Sequence, residues 1–144
     1  MKFYESSTSI KADPDAIWSI LTDAPGFTRW DNGVVRVEGT IAPGETIKVV
    51  SEANPDRTFP VKVSDWAPGR RMEWSGGMPL GLFRGVRTFT LTPGGDGETN
   101  VKVREEYTGP LLGMTWRSMP DLGPSFAKFT EGLKRQAEAQ RIGA

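Results

Sequence analysis

Along most of the chain, apolar and polar residues alternate in short runs broken by proline and glycine. That is the period-two pattern of strands with one buried face. Runs of this kind cover 2–11, 34–40, 46–53, 58–66, 70–76, 82–92 and 99–108. Pro43-Gly44, Asn54-Pro55-Asp56, Pro68-Gly69 and Pro93-Gly94-Gly95-Asp96-Gly97 punctuate them, a spacing that predicts antiparallel hairpins. Two segments follow a helical period instead. Asp13-Pro14 offers an N-cap followed by proline at the first helical position, and Ile17, Ile20 and Leu21 form a stripe before Thr22 or Asp23 ends the helix. Pro25-Gly26 interrupts it, and Phe27 to Trp30 is expected to make a further short turn. Near the C-terminus, Leu122, Phe126, Phe129, Leu133 and Ala137 fall on one face of a long helix. Its other face carries the four-residue pairs Glu131–Arg135 and Lys134–Glu138. Ser118-Met-Pro-Asp121 resembles a helix start, with Asp121 in place of the usual Glu or Gln of a capping box. Pro124 follows closely, so the helix either begins later than Ser118 or bends there.

The order is strand, helix pair, six strands, long helix, with no repeat or linker. A meander of strands must bury its apolar face, and the last helix offers a stripe of matching length. The expected architecture is α+β: a curved antiparallel sheet of about seven strands around a long C-terminal helix, with a short helix pair after the first strand. One domain is expected over 1–144.

One position in the alternation is chemically odd. Phe83, Gly85, Arg87, Phe89 and Leu91 share a face, and Phe89 and Leu91 mark it as the buried one. Folding the last two strands about the 93–99 loop pairs Phe89 with Val103 and Leu91 with Val101 inside, and Thr88 with Arg104 and Thr90 with Lys102 outside. The same register sets Arg87 opposite Glu105 and Gly85 opposite Tyr107. An arginine on the inner face implies a cavity with a polar end. The alternative is an ordinary cross-strand pair near solvent, contributing at most about 1 kcal/mol. For Gly85 the preferred expectation is that it accommodates the Tyr107 ring or curves the strand.

Composition narrows the chemistry. Eighteen basic residues balance eighteen acidic ones, which gives no electrostatic case for nucleic acid or an anionic membrane. Without cysteine there is no thiolate nucleophile, and without histidine no imidazole base or ordinary zinc site. No metal and no cofactor is expected. No apolar run approaches the roughly 20 residues of a membrane span. The N-terminus moves directly into alternating sequence, so a cytoplasmic protein is expected.

Ala12-Asp-Pro-Asp-Ala-Ile-Trp18, Asp23, Trp30, Val63-Ser-Asp-Trp-Ala-Pro-Gly-Arg-Arg-Met-Glu-Trp74 and Arg104-Glu-Glu-Tyr-Thr-Gly-Pro-Leu111, in this element order, resemble the START-like SRPBCC superfamily. The resemblance covers essentially the whole chain. It implies a helix-grip fold with a cavity between the sheet and the C-terminal helix. The superfamily includes pollen-allergen-type binding proteins, polyketide cyclases and dehydratases, lipid-transfer domains and activators of a heat-shock ATPase.

On that footing the candidate catalytic residues are Arg87, Glu105 and Tyr107. Candidate ligand contacts are these three with Gly85, Trp30, Met72, Trp74, Met78, Leu82, Phe83 and Phe89 from the strand region. Leu112, Met114, Met119, Leu122, Phe126 and Phe129 complete the set, and Trp116 belongs to the same apolar cluster. Met78-Pro-Leu-Gly-Leu-Phe83 and Leu111-Leu-Gly-Met-Thr-Trp-Arg-Ser-Met119 are apolar connections, expected to form a lid. The leading expectation is a binding or carrier protein for a small hydrophobic or amphipathic molecule. A cyclase or dehydratase, in which Arg87 stabilises an enolate and Glu105 or Tyr107 moves a proton, is the alternative. A protein-interaction module is a third, and a homodimer is left open.

Overall fold

The computed structural model describes residues 1–143, with side chains described through residue 140. Strand β1 (Lys2–Ile10) is followed by α1 (Pro14–Leu21) and a 3-10 turn (Pro25–Thr28). Six strands come next: β2 (Val34–Glu38), β3 (Thr46–Ser51), β4 (Asn54–Ala67), β5 (Arg71–Gly77), β6 (Arg84–Pro93) and β7 (Thr99–Thr108). Helices α2 (Leu112–Ser118) and α3 (Gly123–Gly143) complete the chain. The strands form one antiparallel sheet in the order β1-β7-β6-β5-β4-β3-β2, so the first strand closes against the last. The register of β6 on β7 is the one the alternation predicts, including Arg87 opposite Glu105 and Gly85 opposite Tyr107.

Local chemistry sets the boundaries. Asp13 caps α1, its Oδ1 accepting the Ala16 amide at 2.8 Å, with Pro14 in the first turn. Asn54-Pro55-Asp56, expected as a turn, is instead the start of the long β4. The Ser51 hydroxyl accepts the Ala53 amide at 3.2 Å and turns the chain two residues earlier, so that Ser51 already pairs with Asn54. Ser118 does not open the last helix. It ends α2, a short helix in place of the expected loop, and its hydroxyl donates to the Thr115 carbonyl. The later start wins: α3 begins at Gly123, whose amide donates to Asp121 Oδ1 at 2.9 Å. Of the two expected helix pairs, Lys134–Glu138 forms at 2.8 Å. Arg135 reaches Asp31 at 3.5 Å rather than Glu131, which ties the helix to the loop before β2.

The outer face of the sheet is a ladder of paired charges: Arg71 with Asp65 and Glu73, and Arg104 with Glu5 and Glu106. Such exposed pairs keep the face wet and add little stability. The inner face packs against α1 and α3. Ile10, Ile17, Leu21, Phe89, Leu91, Val101, Val103, Leu133 and Ala137 are buried together. Trp66 packs edge-on against Trp18, their ring centroids 5.2 Å apart. Polar contacts fix the helix on β1: Ser6 Oγ lies 2.7 Å from Thr130 Oγ1, and Lys134 Nζ donates to the Ser9 carbonyl at 2.8 Å.

The seat of α3 depends on Gly132. A Cβ built there would lie 1.5 Å from the Asp31 carbonyl oxygen and 3.4 Å from Trp30 Cε3. The helix therefore rests on backbone, with no room for a methyl group. Gly132→Ala, which in an open helix stabilises by about 1 kcal/mol, should here reverse sign. We expect a loss of about 2 kcal/mol or more in urea unfolding, because neither backbone can give way freely. A neutral or stabilising result would show that α3 is not seated on this loop.

Candidate functional site

Successive inner-face rows of the sheet differ in what covers them. Met72, Phe89 and Val103 are cross-strand neighbours on β5, β6 and β7, and all three are fully buried. The next inner row, two residues along each strand, is Trp74, Arg87 and Glu105, and the one after it is Gly76, Gly85 and Tyr107. Here the sheet and α3 do not close on each other. A cleft of about 420 Å³ lies between them, walled by β2–β7, the start of α3 and the segment that joins α2 to it.

Arg87 and Glu105 form the polar part of its floor. Arg87 Nε donates to Glu105 Oε1 at 2.9 Å, and the two side chains are 21% and 20% exposed. The guanidinium carbon also lies 4.7 Å from the centroid of the Phe126 ring. Among the described residues Arg87 makes only this hydrogen bond, through Nε, so both terminal NH2 groups keep their donors. Tyr107 is 2% exposed and packs among Phe83, Trp116 and Tyr4. Its hydroxyl is buried with no partner among the described residues, as is the indole N–H of Trp74. Burial, then the neighbouring Glu105 charge, push the phenol above its ordinary range, so it stays a protonated donor.

The glycines behave differently. A Cβ on Gly76 would meet the Pro60 carbonyl at 2.9 Å, so close strand packing requires that glycine. A Cβ on Gly85 would meet nothing nearer than Glu105 Oε2 at 3.4 Å and the Tyr107 ring at 3.6 Å. The sheet does not demand a glycine at Gly85, and its missing side chain leaves space at the floor of the cleft.

Of the residues singled out from sequence, the cleft brings together Trp74, Met78, Phe83, Gly85, Arg87, Glu105, Tyr107, Met119, Leu122, Phe126 and Phe129. Six others lie elsewhere. Met72 and Phe89 are sealed in the row beneath α3, and Trp30 packs behind the wall against Phe27 and Phe129. Leu82 and Met114 face solvent, while half-buried Leu112 lies outside the lining. Trp116, also outside the lining, stacks on Tyr4 at 5.4 Å and backs Tyr107. The expected lid is thus divided: Met78, Phe83, Thr115, Ser118 and Met119 reach the cleft, Trp116 packs behind it, and Leu80, Leu82 and Met114 face solvent. Sequence reasoning missed the β2–β4 wall, with Val34, Val49, Phe59 and Val61, and the polar groups Ser51, Asn54, Arg57 and Ser125. The parity of Phe59 and Val61 with buried Val63 was the available signal. Asn32 is spoken for, donating to the Phe27 carbonyl and accepting the Val34 amide, both at 2.8 Å.

The family model for polyketide cyclase / dehydrase and lipid transport matches residues 2–138. The chain belongs to that family. Its fold is START-like, of the SRPBCC superfamily, as the resemblance implied. The aromatase/cyclase ZhuI from Streptomyces sp. R1128 matches with a TM-score of 0.75 at 11% identity, over 97% of this chain and 95% of that one. A START superfamily protein from Mycobacterium smegmatis matches at 0.71 and 16%, over 96% and 98%. A Mesorhizobium loti protein matches at 0.72 and 17%, over 96% and 98%. At such identities the likeness concerns fold alone. A comparison with curated proteins finds no match.

Tyr107 supplies a test of the floor. Its hydroxyl has no partner among the described residues, so Tyr107→Phe should be at least as stable as the parent at neutral pH. The folded-state pKa is raised, so the folded protein keeps a proton that the unfolded chain loses above about pH 10. The parent's stability should therefore fall through alkaline pH relative to Tyr107→Phe, by up to about 1.4 kcal/mol per pH unit. Parallel curves of urea stability against pH would show that this phenol is not buried.

Proposed function

We propose that this family member binds a small amphipathic molecule, with its apolar body in the cleft and an acceptor-bearing head group at Arg87. The observation that carries the reading is the Arg87–Glu105 pair on the floor of a largely apolar cleft, with the guanidinium's terminal donors unspent. Glu105 orients the guanidinium through Nε, which leaves the planar fork for a carboxylate, phenolate or carbonyl oxygen. Tyr107 and Trp74 add neutral donors close by in the sheet register. The walls, including Val49, Phe59, Phe126 and Phe129, supply apolar area.

A second reading draws on the same floor. Membership of a family described by polyketide cyclases and dehydrases supports an enzyme in which Arg87 holds an enolate. Tyr107 is held protonated, which leaves Glu105 as the proton acceptor of that site. Binding requires fewer assumptions and comes first.

Dodecanoate and dodecanol share a tail and differ in head group, so they separate charge from shape. Arg87→Met keeps much of the side-chain length and removes the charge. It should weaken dodecanoate about 10- to 100-fold, the range for hydrogen bonds to a charged group. Dodecanol should change several-fold at most, as measured by calorimetry or quenching of Trp emission. Equal losses for both ligands would mean that the pair is structural. Absence of binding by the parent would remove the proposal.

A further inference from the structure

Three segments far apart in sequence meet at one end of the sheet, beside the cleft. Lys2 of β1 pairs with Tyr107, and Arg84 of β6 pairs with both Thr108 and Gly77. The Leu111 amide donates to the Leu82 carbonyl at 2.9 Å, which fixes the approach to α2 against the β5–β6 turn. Lys2 Nζ lies 5.8 Å from the Trp116 ring centroid. Met78, Phe83, Thr115 and Ser118, from these same segments, line the cleft.

This end exposes apolar side chains. Leu80 is 96% exposed, Met114 65%, Met78 41% and Leu82 38%. Leu80 stands at φ 61°, ψ 21°, the left-handed region that glycine or asparagine adopts at lower cost. A leucine that is both strained and bare gains nothing from packing within the chain. Strain held by a fully exposed apolar residue calls for a use outside it.

Within the segments that form this end the charge has one sign, and the neighbouring Glu5 and Glu106 are paired with Arg104. Segments 1–4, 77–84 and 107–120 contain Lys2, Arg84 and Arg117 and no aspartate or glutamate. All three cations are exposed, and none enters an ion pair among the described residues. Arg117 follows Met114 by three positions on α2, so both lie on its outward side, while Trp116 packs inward. In a chain of zero formal net charge this is a local excess.

We propose that this end docks on the surface of an anionic lipid bilayer. Leu80 and Met114 would sit at the head-group boundary, with Lys2, Arg84 and Arg117 against the anionic head groups and the cleft close to the surface. Among the described residues no helix is long and apolar enough to cross a membrane, so the contact is peripheral. A second copy of the chain fits worse, because a two-fold contact would set two patches of like charge against each other. Isolated prongs on a tight turn also offer little area for a protein interface, whereas a fluid apolar phase needs no matching shape.

The test is co-sedimentation of the unliganded protein with vesicles of phosphatidylcholine and phosphatidylserine, against vesicles of phosphatidylcholine alone. The parent should pellet with the mixed vesicles, weakly at high salt, and little with the neutral ones. Arg84→Gln and Arg117→Gln should each reduce partitioning about fivefold, the factor for one basic side chain at an anionic surface. Leu80→Asn suits the left-handed backbone, so its thermal unfolding should match the parent while its vesicle binding drops. No pelleting of the parent, or full binding by Leu80→Asn, would overturn the proposal. So would a dimer in sedimentation velocity that the same variants dissociate, without vesicle binding. Fatty-acid binding in solution is a separate readout, so either result can fail while the other stands.

Discussion

A helix about 10 Å across covers only two or three strands spaced about 4.8 Å apart. The inner face here belongs to seven strands, and α3 is the long element laid over it. Where it meets β1, β7 and α1, through Leu133 and Ala137, the fit is that of an ordinary core. The Gly132 contact with the Asp31 backbone and the Ser6–Thr130 contact hold it there. Toward its N-terminus it presents Phe126 and Phe129 to rows of the sheet that it does not seal. The cleft follows from that incomplete cover.

The residues on the uncovered rows are suited to being uncovered. Met72 and Phe89 would gain nothing from an open position, and they are sealed. One row further on, Trp74 keeps its indole ring in apolar surroundings, while Arg87 and Glu105 neutralise each other at about one-fifth exposure. An isolated charge in that place would carry a large desolvation cost. The pair removes most of it and still leaves guanidinium donors free. Tyr107, whose hydroxyl has no partner among the described residues, extends the donor surface one row further, where Gly85 leaves room.

Much of this was legible in the chain because it depends on local period and short loops. The 93–99 turn and the parity of Phe89 and Leu91 were enough to set Arg87 against Glu105. Asp13-Pro14 was enough to start α1. What could not be read is which part of the inner face the helix seals. Met72 and Trp74 have the same parity and similar chemistry, and only the seat of α3 separates core from cleft. The turn at Ser51 was hidden by the stronger signal of Asn54-Pro55-Asp56. The exposed basic end was invisible for a different reason. Lys2, Arg84 and Arg117 are scattered through a neutral sequence, and the closure of β1 on β7 with the docking of α2 gathers them.

The account stands on the claim that the space between sheet and helix receives a guest, head group toward Arg87. A crystal structure of the protein with dodecanoate tests that claim directly. The account predicts a carboxylate within hydrogen-bonding distance of the terminal nitrogens of Arg87, with Glu105 still on Nε. The alkyl chain should run along Trp74, Phe126 and Phe129. A cleft closed by its own side chains, or a fatty acid bound in the opposite sense or at another surface, would contradict it.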